Sequence, residues 1–124
     1  EKAEAGYEFE LMLPVVNEGT GAFITVRGSN SPKVKEHSKR VYNKMQRKEA
    51  MAKRKGKEAE QMTLEEAEEM SIESALVRIV GWKGITEGKT VVDFTPDNAM
   101  RILKEHDWIR TAVLEESDNV ANFI

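Results

Sequence analysis

Apolar and polar positions alternate first over "YEFELML". Tyr7, Phe9, Leu11 and Leu13 fall on one side of an extended chain and Glu8, Glu10 and Met12 on the other, which is the period of a half-buried strand. "PVVNEGTG" supplies turn material in Pro14, Asn17, Gly19 and Gly21. "AFITVRG" then forms a second β-rich run. The pattern predicts a β-hairpin within residues 7–30, and a lone hairpin is marginal in water, so it must pack on something.

The period changes at Ser31-Pro32, an N-cap followed by a proline at the first helical position. Val34, Val41 and Met45, with Ser38 between them, mark one face at helical spacing. The stripe then fades into "RKEAMAKRKGKEAE", where Ala and Met are the only apolar residues and Gly56 is a natural break. Residues 46–60 therefore read either as a helix projecting into solvent or as a linker.

The pattern restarts at Thr63 and Glu66, the spacing of a capping box in which hydroxyl and carboxylate each satisfy a backbone donor. Ile72, Ala75, Leu76, Ile79 and Val80 make a buried helical stripe that Gly81 ends. Trp82, Ile85, Val91, Val92 and Phe94 flank "TEGK", a short β-turn with extended arms. Thr95-Pro96 opens another helix, with Asp97 complementing its dipole and Met100, Ile102 and Leu103 on its apolar face. "EHD" breaks the chain before Trp108, Ile109, Ala112 and Val113 restore the stripe. The expected fold is α+β and predominantly helical, in one domain spanning 1–124. Its parts are the hairpin region 7–30, a long charged helix or linker 31–60, and a compact helical module 61–124 with a short extended insert.

Composition changes this picture in one respect. Of 124 residues 40% are apolar and 33% charged, which predicts a folded part joined to an unusually solvated one. The net charge of −3 gives the whole chain no electrostatic pull toward nucleic acid or membrane. Its distribution is uneven: Lys33 to Lys57 holds eleven of the nineteen basic residues against Glu36 and Glu49, and Glu58 to Glu73 holds seven acids and no base. There is no cysteine, hence no disulfide or thiolate metal site. No apolar run approaches the roughly 20 residues that cross a bilayer, and no signal-peptide pattern opens the sequence. A cytosolic protein is the default.

Candidate chemistry is sparse. Lys39, Arg40, Lys44, Arg47, Lys48, Lys53, Arg54 and Lys55 could contact phosphates, but Tyr42 is the only aromatic among them and no nucleic-acid-binding motif accompanies the run. The competing reading is a solvated helix offset by the acidic segment in an antiparallel helical hairpin. Glu65, Glu66, Glu68, Glu69 and Glu73 resemble ordinary helix design more than a metal or acid/base site, because no His stands beside them. His37 and His106 are far apart, and His106-Asp107 reads as a polar pair at a helix junction. Ser29, Ser31 and Ser38 lie in no nucleophile motif, and "GTGAF" and "GWKGITEG" are not phosphate-cradling loops. The expectation is a protein without catalysis, metal or cofactor. Trp82, Phe94, Trp108 and Ile109 form either an internal core or an exposed docking patch.

The block "VRIVGWKGI…GKTVVDFTPDNAMRILKEHDWIRTAVLE…NF" resembles the tail assembly chaperones of long-tailed, siphovirus-type bacteriophages and prophages. The carriers are Trp82, Gly84 and Ile85, then Phe94-Thr95-Pro96 with Asn98, then Leu103, Trp108-Ile109 and Ala121-Asn122-Phe123. The resemblance implies a non-catalytic protein of the host bacterial cytoplasm. Such a protein coats the helical tape-measure protein, keeps it soluble while tail-tube subunits assemble, and leaves before the virion is complete. The tape-measure protein is then the expected partner, with the tail-tube protein and further copies of the chain as others. Candidate contact residues are Trp82, Trp108, Ile109, Phe123 and Ile124, with Met45, Met51, Met62 and Met70 along the charged middle. Two rival functions remain: a nucleic-acid-binding accessory protein using residues 33–57, and a structural head–tail protein.

Overall fold

The computed structural model describes residues 2–58 and 61–124. In chain order the elements are α1 (Lys2–Ala5), β1 (Tyr7–Met12), β2 (Gly19–Val26), α2 (Pro32–Arg54), α3 (Leu64–Arg78), β3 (Ile79–Lys83), β4 (Thr86–Glu87), β5 (Thr90–Val91), α4 (Pro96–Glu105) and α5 (Asp107–Asp118). A 3-10 turn, Val120–Phe123, follows α5. The architecture is α+β with helix predominating.

The expected hairpin is present. β1 pairs antiparallel with β2, Tyr7 opposite Val26 and Phe9 opposite Ile24, with a bulge between Glu10 and Met12. The alternation sends Leu11, Ala22, Ile24 and Val26 inward. What the hairpin packs on corrects the sequence reading. Ile79 and Val80 do not continue the preceding helix; they open β3, which pairs antiparallel with β2 and completes a three-stranded sheet in the order β1-β2-β3. β-branched residues suit a pleated surface, and the free edge of β2 offers backbone partners that a local helical stripe does not reveal.

α3 and α5 lie against the sheet, and α4 packs on those two helices. Ile24, Val26, Ile72, Ala75, Ile79, Ile102, Leu103, Ile109 and Val113 meet there, with Leu11, Ala22, Ile85 and Val92 in the same cluster. The insert after β3 is the short hairpin β4–β5. It is reached through Gly84, whose φ is +78° and where a Cβ would lie 2.5 Å from the Gly21 carbonyl oxygen. Only glycine fits that approach.

The helix starts follow their local chemistry. The Oγ atoms of Ser31, Thr63 and Thr95 accept from the backbone N–H of Val34, Glu66 and Asn98 at 3.4, 3.1 and 3.1 Å. At Thr63 the reciprocal half of the expected box differs: the hydroxyl donates to the Glu66 carboxylate at 3.2 Å. At His106 the chain breaks as expected between α4 and α5, but Asp107 takes Arg110 as its partner at 3.1 Å in place of the expected His106.

A polar junction ties the sheet to the helices. The Ser117 hydroxyl, buried, donates to the Arg27 carbonyl at 2.6 Å. The Arg27 guanidinium donates to the carbonyls of Val77 and Ile79 at 3.0 Å each, and Arg78 pairs with Asp118 at 2.6 Å. Backbone groups that lose their ladder partners where α3 becomes β3 thus find side-chain donors.

Candidate functional site

Two helices leave the body of the protein together. The 23 residues of α2 make a helix about 34 Å long at 1.5 Å per residue. It is continuous to Arg54, and Gly56 follows at a φ of +70°. Residues 46–54 are therefore helix; residues 59 and 60, where the sequence left helix and linker open, lie outside the described residues. Val34 is the one buried residue of α2. Farther along, α2 lies against α3, whose first half is likewise exposed up to Met70. The two form the expected helical hairpin, here a charged arm.

Between the two helices runs a groove of about 380 Å³. Val41 and Met45 come from α2, Met70 comes from α3, and Met62 lies just before α3. Lys44, Lys48 and Glu49 line the α2 side, and Glu66, Glu69 and Glu73 line the α3 side. Around it the arm exposes Tyr42 (62%), Met51 (57%) and Leu64 (90%), so its apolar surface extends beyond the groove. Val41 and Met70 are half-buried between the helices, whereas Met45, Met51, Met62 and Leu64 stay exposed; an exposed apolar patch rimmed by polar residues is the kind of surface that takes a partner. Methionine side chains adapt to differently shaped partners because they are unbranched and polarizable.

The charges on the arm are largely unspent. Arg40–Glu36 at 3.1 Å is an ion pair within α2. Among the described residues none links α2 to α3 within 4.0 Å, and Lys44, Lys48, Glu69 and Glu73 have no ion-pair partner. No group of three or more His, Cys, Asp or Glu among the described residues is placed to hold a metal ion.

The aromatic candidates sit elsewhere. Trp82 is half-buried, donates its indole N–H to the Val92 carbonyl at 2.9 Å, and stands edge-on to Phe94 at 5.1 Å. Trp108 is half-buried against the core and edge-on to His106 at 6.4 Å. Ile109 is 5% exposed and belongs to the core itself. Phe123 packs back against Tyr7 at 6.2 Å, whereas Ile124 is 81% exposed. The five are not brought together into one patch. The hairpin tip was missed as a surface: Met12, Leu13, Val15 and Val16 are all exposed there, and Val15 holds a φ of +73°.

The other residues that carried the resemblance also have structural roles. Thr95 caps α4, Asn98 Nδ2 donates to the Asp93 carbonyl at 3.0 Å, and Asn122 Nδ2 donates to the Glu116 carbonyl at 3.0 Å. They hold the C-terminal helices in place. Residues 29–124, which include the arm and these helices, match the family model described as YdaY prophage protein. The chain belongs to the YdaY prophage protein family. It is thus a phage-associated protein, and the match takes in the whole of the arm while leaving the β1–β2 hairpin outside. No curated protein and no solved structure matches the chain. Among the described residues no helix is long and apolar enough to cross a membrane.

Proposed function

We propose that this prophage protein is a tail assembly chaperone that acts in the host cytoplasm. It binds the tape-measure protein non-covalently and keeps it soluble while tail-tube subunits assemble. The observation that carries the reading is the methionine-lined groove on the charged arm. An amphipathic helical client needs an apolar surface that tolerates variation along its length, and a carrier that stays soluble while exposing such a surface. The groove supplies the first, and the lysine and glutamate rims supply the second. The resemblance of the C-terminal block to tail assembly chaperones supports the same reading.

The test is co-expression of the chain with the tape-measure protein of its own prophage, read as client solubility and co-purification. The expected result is a soluble client only in the presence of the chain. Met45→Glu with Met70→Glu should weaken recovery about tenfold, the effect of removing anchor residues from an interface, with an unchanged circular dichroism spectrum. A client equally soluble without the chain overturns the proposal. So does salt-sensitive co-purification of nucleic acid in place of client, which would assign Lys53, Arg54 and Lys55 to phosphates.

A further inference from the structure

The arm is charged in a self-complementary way. An apolar floor of Val41, Met45, Met62 and Met70 runs between a rim with Lys44 and Lys48 and a rim with Glu66, Glu69 and Glu73. Glu49 is the one acid on the basic side. Lys44, Lys48, Glu69 and Glu73 find no ion-pair partner within the described residues, so their charge is available to a surface of the inverse pattern. The arm itself is such a surface.

We propose that a second copy of this chain seats its arm on this groove, each α2 lying on the α3 of the other copy. Symmetry decides the arrangement. A two-fold axis along the arm places the lysine rim of each copy on the glutamate rim of its partner, whereas an axis across the arm sets like charge on like. The first arrangement is isologous and closes at two copies. It makes a four-helix bundle with the methionines at its centre and removes their apolar surface from water in both copies. Complementary charge sets the register, and the methionines supply the contact. The proposal goes beyond the chaperone reading and does not depend on it: the second copy is the groove's occupant when no client is present, and a client competes for it.

The experiment is light scattering coupled to size exclusion on the full chain alone, without client, at about 100 µM and across a salt series up to about 0.5 M. A dimer is expected, weakening as salt rises. Lys44→Glu with Lys48→Glu should weaken self-association about tenfold or more, as should Glu69→Lys with Glu73→Lys. Mixing the two variants should restore a dimer, and a single chain with all four substitutions should dimerise again. Repulsion between α2 and α3 of one chain persists in both double variants, so rescue on mixing reports contact between copies. Circular dichroism of each variant checks that the helices remain. A monomeric wild type overturns the proposal, as does a dimer indifferent to the substitutions or a failure of the mixture to recover. Failure of the client test leaves these outcomes unaffected, because no client is present in them.

Discussion

Ser117 shows how much one hydroxyl can hold. It is buried, donates to the Arg27 carbonyl at 2.6 Å, and lies beside Arg78. Ser117→Ala leaves that carbonyl without its donor, and the expected cost is about 1–3 kcal/mol, read by urea denaturation. Val15 is the opposite case. A β-branched residue at a φ of +73° is strained, and it is fully exposed, so no packing offsets the strain. Val15→Gly should therefore raise stability by about 0.5–1 kcal/mol, the left-handed penalty less the added chain entropy. A loss of stability would mean that the hairpin tip is held by contacts its exposure does not suggest.

A third residue prediction concerns pH. Arg101 donates two 2.7 Å bonds to Glu87, and that hydrogen-bonded guanidinium holds the Glu87 carboxyl below its ordinary range. A carboxyl with a lowered folded pKa contributes stability above its unfolded pKa and loses that contribution as pH falls through the folded value. The pair is solvent-exposed, so the effect belongs to the local docking of the β4–β5 hairpin on α4 rather than to global stability. Arg101→Gln should return Glu87 to titrating near the usual ~4.3, followed by NMR of the side-chain carboxyl carbon. An unchanged titration would remove Arg101 as the cause.

At the scale of elements, what could be read from sequence was what local chemistry decides. Ser31-Pro32, Thr63 and Thr95-Pro96 announce their helices because each cap needs only residues within one turn. β3 was not legible. Ile79 and Val80 extend the helical stripe of Ile72, Ala75 and Leu76, and the reason they leave it is the edge of β2, more than fifty residues earlier. Trp82 was legible as an important side chain but not in its role, since its partner is a carbonyl ten residues on, just past β5. Gly84 follows the same logic: its neighbour is the Gly21 carbonyl across the sheet. Gly84→Ala should destabilise by about 1–3 kcal/mol, from both the positive φ and the contact, measured as a fall in thermal midpoint. A neutral result would show that the β3–β4 turn shifts freely.

For the whole molecule, the sheet and its helices make a core with ordinary burial, and the arm stands outside it. The charge runs that were visible in the sequence are the two sides of the arm, and their separation by helix is what makes the groove. The groove was only partly legible: it depends on α2 remaining helical to Arg54 and folding back along α3, neither of which the fading stripe beyond Met45 states. The proposal that its partners are proteins rests on the surface chemistry of the arm. Hydrogen exchange of the chain with and without its tape-measure protein tests that claim most directly. With the chain diluted below its self-association range, the prediction is added protection over residues 41–54 and 62–73, with the sheet and α4–α5 unchanged. Protection confined to the hairpin tip or the C-terminal helices, with the arm exchanging as before, would contradict it.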